Sequence, residues 1–120
     1  MKKLFALFLI LTVAFTFSLN SEPPKPLKGK IVSLNDIVGG GTGKVNKEQA
    51  QELAEKGNPI VFMVGNGKSA KIYFVYNEDG TFAGKKLAKY ANNENVGIIG
   101  KIKKVNGLNI IIAETIESMD

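Results

Sequence analysis

The sequence predicts a mainly β domain with two short helices, and three features carry this prediction. Asn106-Gly107 separates two long runs of branched apolar residues, which is typical of a β-hairpin. Two further apolar runs, 60–64 and 70–77, have the length of strands and end in turn residues. Segments with helix-capping signals at 46–57 and helical spacing at 85–91 separate these runs.

The N-terminal segment, residues 1–21, is typical of a secretory signal peptide. Lys2 and Lys3 precede an apolar run, and small residues follow it. The alternative is an uncleaved anchor, but the 16 apolar-rich residues from Leu4 to Leu19 span only roughly 24 Å as a helix, less than the ~30 Å hydrocarbon core. We therefore expect export to the periplasm or the medium, with no membrane span after cleavage. Residues 22–26 form a Pro-rich spacer.

Composition narrows the chemistry that this chain can perform. It contains no Cys and no His, so the commonest nucleophile, general base and metal ligands are absent. All 16 basic residues are lysines, against 11 acidic residues. Nucleic-acid readers normally use arginine, whose planar fork matches phosphates and guanine edges. The composition predicts a protein that is not an enzyme and that has no cofactor and no metal site.

The first strand is expected over 28–38 and is followed by a glycine-rich segment, Gly39 to Lys44. This segment is not a phosphate-binding P-loop, because Val38 stands where the first glycine is required and Val45 stands where Ser or Thr is required. A flexible connector is the simpler interpretation. Its backbone N–H groups are a weaker candidate for contacting an anion.

The first helix is expected after Asn46, with Gln49 completing a capping box and Gly57 and Pro59 ending it. Strands follow at 60–64 and 70–77. In the second of these we expect Ile72, Phe74 and Tyr76 on the buried face, and Lys71, Tyr73 and Val75 on the exposed face. A second helix is expected over 85–91. In the hairpin, Gly97 and Gly100 predict a bend or bulge in the first strand.

Without its first helix, the predicted order is three strands, a helix and two strands. This order, the first strand that contains Gly29, and the segment VGIIGKIKKVNGLNIIIAETI together resemble small exported bacterial OB-fold proteins. The resemblance covers 27–117 and implies a five-stranded Greek-key barrel over 27–118, with a ligand surface on strands two and three and nearby loops. The early helix departs from that pattern, and a small α+β domain with an antiparallel sheet is the alternative fold.

These features predict a secreted or periplasmic binding module, expected to be a monomer, whose ligand is small and anionic or sugar-like, or is a cell-envelope protein. The candidate ligand-binding residues are Lys44, Lys68, Lys71, Tyr73 and Val75. A solvated strand face with one surface tyrosine is the simpler alternative. Single-stranded nucleic acid is the other ligand class, although a basic groove with several stacking aromatics is required for it. Lys101, Lys103 and Lys104 form a further basic patch near the hairpin turn.

Overall fold

The computed structural model describes residues 25–120. The predicted signal peptide and most of the predicted spacer lie outside the described residues. Within them, no helix is both long enough and apolar enough to cross a bilayer.

Five strands and three short helices make up the described chain. The strands are β1 (Leu27–Ser33), β2 (Ile60–Val64), β3 (Lys71–Asn77), β4 (Val96–Val105) and β5 (Leu108–Ser118). The helices are α1 (Leu34–Val38), α2 (Lys47–Glu55) and α3 (Gly84–Ala88), and a 3₁₀ turn covers Gly67–Ser69. The prediction of a mainly β fold is confirmed.

The strands form one mixed sheet that closes in a ring in the order β1-β2-β3-β5-β4. Four of the five pairings are antiparallel, and β3 pairs with β5 in parallel, Val75 opposite Ile111. The ring closes where Leu27, Lys28 and Gly29 of β1 pair with β4. The sheet is therefore not the purely antiparallel one of the alternative fold.

The helix α1 corrects the prediction that the first strand continues to Val38 and that the chain has two helices. Residue 34 would next pair with Pro59, which has no N–H to continue the ladder. The Leu34 N–H still donates to the Pro59 carbonyl at 3.2 Å, but Pro59 cannot donate in return, and the Ser33 hydroxyl caps a helical turn by accepting from the Asp36 N–H at 3.3 Å. The missing Pro59 N–H and the Ser33 cap therefore together end the strand five residues early.

The predicted capping box of α2 is confirmed. The Asn46 side chain accepts from the Gln49 N–H at 2.8 Å, and the Gln49 side chain accepts from the Asn46 N–H at 3.1 Å. Gly57 follows the helix with a φ of 86°, the left-handed conformation that commonly terminates helices. The helix packs on α3 and β2, and its Ala50 is fully buried.

The hairpin also has the predicted turn and bulge. Asn106 and Gly107 have φ values of 50° and 86°, as a type I′ turn requires at both central residues. Ten pairs join β4 to β5, and the register shifts between Ile99 and Gly100. Only Val96, Gly97 and Ile98 of β4 pair with β1, and β5 pairs with β3 only from Ile110 to Ala113. The turn end of the hairpin therefore extends beyond the ring as two strands alone.

The core fills the inside of the ring. Its largest fully buried side chains come from β2, α3, β4, β5 and β3: Phe62, Ile60, Leu87, Ile98, Ile111, Val75 and Val96. The hydrogen-bonded ring is complete within 27–118. Residues 22–120 therefore contain every strand of the ring and the core that it encloses.

The faces of β3 are opposite to those predicted. Tyr73 is 9% exposed and Val75 is fully buried, because Tyr73 pairs with the core residue Phe62 and Val75 pairs with the core residue Ile111. Phe74 and Tyr76 lie on the outer face and are partly exposed. Both faces of this strand are apolar, so alternation along its sequence cannot show which one is buried.

Candidate functional site

The glycine-rich segment after α1 is held against the sheet by hydrogen bonds. An Asp36 side-chain oxygen accepts from the Gly43 N–H at 2.7 Å, the Asp36 carbonyl accepts from the Gly41 N–H at 2.8 Å, and the Gly43 carbonyl accepts from the Ser33 N–H at 2.9 Å. Gly43 has a φ of 84°, and a side chain there would collide with Ile37 and Val32. Glycine is required at this position because the segment passes so close to β1.

This segment and α1 cover part of the outer face of β1 and β2. Val32 and Val61 point out of the ring, and both are nonetheless buried. Because Gly43 contacts Val32 and Ile37 together, Ile37 and the glycine segment lie over this outer face. They form a wall that rises from the surface of the sheet.

A groove with a volume of about 730 Å³ lies between this wall and the β2–β3 turn. Its floor is the outer face of the neighbouring strands, with Lys30, Met63 and Ile72, which the register places side by side. Its remaining lining comes from the glycine segment, the β2–β3 turn and the residues that follow α3: Ile31, Val32, Ile37, Gly41, Thr42, Lys44, Val45, Asn66, Gly67, Ala70, Ala91, Asn92, Asn93 and Glu94.

The segment after α3 is positioned by two distant parts of the chain. The Asn92 side chain accepts from the Lys47 N–H at 2.8 Å. The Asp120 carboxylate accepts from the Glu94 and Asn95 N–H groups at 3.0 and 2.9 Å, and from the Asn93 side chain at 3.2 Å. The Asp120 side chain therefore fixes one wall of the groove.

Asp120 is correspondingly stabilised in its charged form. Partial desolvation acts to raise the pKa of its carboxyl, but the hydrogen bonds from Glu94, Asn95 and Asn93 outweigh this and lower the pKa below its ordinary value of 3.8. The Asp120 carboxylate thus accepts hydrogen bonds from three successive residues, Asn93, Glu94 and Asn95.

The structure separates the five sequence-predicted site residues. Lys44 lines the groove. Lys68 and Lys71 are exposed beside the lining residues Gly67, Ala70 and Ile72 but do not line the groove themselves. Tyr73 and Val75 are in the core, so the expectation that these two are exposed is wrong. Ligand binding by the three lysines stays a prediction.

Sequence reasoning missed Lys30 and Asn66 in the groove and Asp36 and Asp120 behind it. Two signals were available for part of this set. Lys28 and Lys30 alternate with apolar residues on β1, which marks an outward face. Ser33-x-x-Asp36 has the spacing of a helix N-terminal box. No local pattern links Asp120 to Glu94, because 26 residues separate them.

The groove combines two ammonium groups, neutral hydrogen-bonding groups and an apolar floor. Lys30 and Lys44 face one acidic residue, Glu94, in its lining, which leaves one positive charge in excess. Thr42, Asn66, Asn92 and Asn93 supply hydroxyl and amide groups that both donate and accept. This combination suits the binding of anionic or hydroxyl-rich molecules, and it includes no nucleophile–base pair.

Outside the groove, the carboxylate of Asp79 is held by hydrogen bonds within a turn. Hydrogen bonds from the Thr81 hydroxyl and N–H lower the pKa of Asp79 below its ordinary value of 3.8 and close the turn after β3. Among residues 25–120, no three acidic side chains are grouped as a metal site would require.

A second outward surface continues from the groove along β3, β5 and β4. Phe74 and Tyr76 pair with Ile110 and Ile112 of β5, which in turn pair with Lys103 and Lys101 of β4. Phe82 packs edge-on against Tyr76, with ring centroids 5.4 Å apart and planes at 65°. Two cross-strand rows, each running from an aromatic residue to a lysine, therefore share one face of the sheet.

Comparisons with protein-family models, curated proteins and solved structures found no match to this chain. The geometry of the groove and of its surroundings is therefore the basis for assigning a function.

Proposed function

We propose that this protein is a non-catalytic binding module that works outside the cytoplasm and holds a small anionic or sugar-like ligand in the groove. The observation that carries the proposal is the groove itself, where Lys30 and Lys44 lie beside the apolar side chains of Met63 and Ile72 and beside amide and hydroxyl groups. A cell-envelope protein is the other ligand class within this proposal. Export rests on the leader pattern of residues 1–21.

The proposal includes an OB-fold architecture, which several observations support. The strands close in the order β1-β2-β3-β5-β4 with β3 and β5 parallel, and α3 lies between β3 and β4. In OB-folds, the face of strands two and three and the loop between strands one and two bind ligands. The groove lies on the corresponding face here, and the inserted α1, glycine segment and α2 enlarge that loop.

The absence of catalysis is also part of the proposal. The chain has no His and no Cys, and the groove has one carboxylate, Glu94, in its lining. Carboxylate-based hydrolysis usually requires two such groups on opposite sides of a substrate. Binding without turnover is the simpler chemistry for this set of side chains.

Calorimetric titration of residues 22–120 tests the proposal, with inorganic polyphosphate and a neutral oligosaccharide as the probes. We expect one of the two to bind, and Lys30→Gln/Lys44→Gln to weaken binding of polyphosphate at least tenfold, since each charge-assisted contact contributes about 1.5–3 kcal/mol. Lys85→Gln/Lys86→Gln removes the same charge from α3 and serves as the control. Equal losses in both double variants would reject the groove as the site, and no heat with either probe would reject a small ligand of these classes.

Single-stranded nucleic acid is a second candidate, and the outward rows of Phe74, Tyr76, Lys101 and Lys103 favour it. Bases stack on aromatic side chains while lysines contact the phosphates. A short single-stranded DNA added to the same titration separates the candidates. Binding that Phe74→Ala abolishes and Lys30→Gln/Lys44→Gln does not affect would support this second function.

A further inference from the structure

The turn end of the β4–β5 hairpin carries an unusual concentration of exposed apolar side chains. Ile102, Val105 and Leu108 are 57%, 47% and 51% exposed. They are three of the six large hydrophobic side chains that are exposed in residues 25–120, and they fall within seven positions. Exposed apolar groups concentrated in this way mark a contact surface.

Positive charge surrounds these side chains. Lys101, Lys103 and Lys104 are all exposed, and no acidic residue occurs between Asn95 and Ala113. Residues 96–112 therefore carry three positive charges and no acid, and the acids of β5, Glu114 and Glu117, lie at the opposite end of the hairpin from the turn. Its complement is a surface that is both apolar and negatively charged.

The two faces of the hairpin indicate what kind of surface this is. Ile102 and Lys104 share a face with Ile111, whereas Lys101, Lys103, Val105 and Leu108 lie on the other face. A protein groove or a nucleic-acid strand would contact one face of a ribbon. Here apolar groups and lysines project from both faces of the hairpin. Both faces can be in contact at once only if the binding surface surrounds the turn, as the interface of a lipid bilayer does.

We propose that the hairpin turn, defined here as residues 101–108, binds the surface of an anionic lipid bilayer. Ile102, Val105 and Leu108 enter the boundary between headgroups and acyl chains, and the three lysines contact the anionic headgroups. Insertion is shallow, because the outer edge of β4 beyond Ile98 pairs with no other strand among the described residues and unpaired backbone groups are costly within hydrocarbon. None of residues 101–108 lines the groove, so the role of the turn is independent of the proposed ligand.

Vesicle flotation of residues 22–120 tests this inference. The probes are vesicles of phosphatidylcholine alone and vesicles in which about one-third of the lipid is phosphatidylglycerol, since anionic lipid supplies the attraction. We expect flotation only with the anionic vesicles, and weaker binding at high salt because charge interactions are screened. No flotation with anionic vesicles at low salt would overturn the proposal, as would binding to short single-stranded DNA alone.

Matched variants separate the hairpin turn from general charge. Lys101→Gln/Lys103→Gln/Lys104→Gln is expected to weaken binding at least tenfold, because each lysine contributes about fivefold. Lys85→Gln/Lys86→Gln/Lys89→Gln removes three exposed charges near α3 and is expected to retain binding within about twofold. Equal losses in both triple variants would overturn the assignment to the hairpin.

The apolar contribution has its own control. Val105→Ser/Leu108→Ser is expected to weaken binding at least fivefold, since buried apolar area determines interfacial affinity, whereas Val38→Ser, at a side chain that is 78% exposed on α1, is expected to have no effect. The chain has no Trp, so Leu108→Trp gives it a single tryptophan. Its emission should shift to shorter wavelength with anionic vesicles, and an unchanged emission would contradict insertion.

Discussion

At the scale of single residues, Gly100 determines how β4 bends. A side chain there would overlap the carbonyl of Ile112 and approach the Cα of Ala113 at 3.0 Å, and the register of the hairpin shifts at this residue. We expect Gly100→Ala to lower the free energy of unfolding by about 2–4 kcal/mol, because the overlap is with backbone that cannot turn aside. Gly39→Ala is the control, since a Cβ at residue 39 meets its nearest atom at an ordinary 3.4 Å. Equal chemical-denaturation midpoints for the two variants would contradict this reading.

Asp120 illustrates how one terminal side chain fixes a site wall. Its folded-state pKa is lowered, so its contribution to stability is complete above the unfolded value near 3.8 and is lost as pH falls through the lower folded value. Asp120→Asn should therefore be less stable than the parent at pH 7, and the difference should shrink once the pH falls below about 3.8. Glu117→Gln, an exposed change of the same charge on β5, serves as the control. Melting temperatures of the parent and of Asp120→Asn are compared from pH 7 to below the ordinary carboxyl pKa. A difference that does not change with pH would show that the charged carboxylate is not the cause of the stabilisation.

At the scale of elements, local signals predicted the hairpin and α2, and long-range pairing determined the rest. Asn106-Gly107 and the Asn46–Gln49 box act within a few residues, so their sequence patterns are sufficient. The end of β1 depends on Pro59, which lies 25 positions beyond Leu34. The buried face of β3 depends on Phe62 and Ile111. These two features were predicted wrongly because the deciding partner lies outside the local window.

The assignment of faces on β3 leads to a direct stability test. Val75→Ala should lower the free energy of unfolding by about 2 kcal/mol, because it leaves a cavity beside Ile111. Val105→Ala makes the same chemical change on β4 where the side chain is 47% exposed, and its effect should stay within about 0.5 kcal/mol. Urea denaturation of the two variants measures the difference, and a loss for Val75→Ala no larger than that for Val105→Ala would contradict the burial of Val75.

At the scale of the whole molecule, the ring brings residues of the groove together from four separate segments. Lys30, Lys44, Asn66 and Glu94 lie far apart in sequence and line one groove. Sequence reasoning located Lys44 through the glycine segment, but it could not place Lys30 or Glu94 there without knowing which strands neighbour each other. The glycine segment itself was recognised, whereas its attachment through Asp36 depends on a hydrogen bond to Gly43 that no motif specifies.

Export is the expectation that concerns the whole chain. The leader pattern predicts that protein recovered outside the cytoplasm begins between Leu19 and Glu22, since signal peptidase cleaves after small residues such as Ser18 and Ser21. Intact-mass measurement of the recovered protein gives the N-terminus. A mass that includes Met1 would contradict processing of the leader.

The proposed binding of a small ligand in the groove can be mapped residue by residue with NMR chemical shifts. Isotope-labelled residues 22–120 are titrated with inorganic polyphosphate and with a neutral oligosaccharide. We expect one of them to shift the amide signals of Lys30, Thr42, Lys44, Asn66 and Asn93 together, because these residues line one groove. Shifts confined to the hairpin turn, or no shifts with either probe, would show that the groove does not bind these ligands.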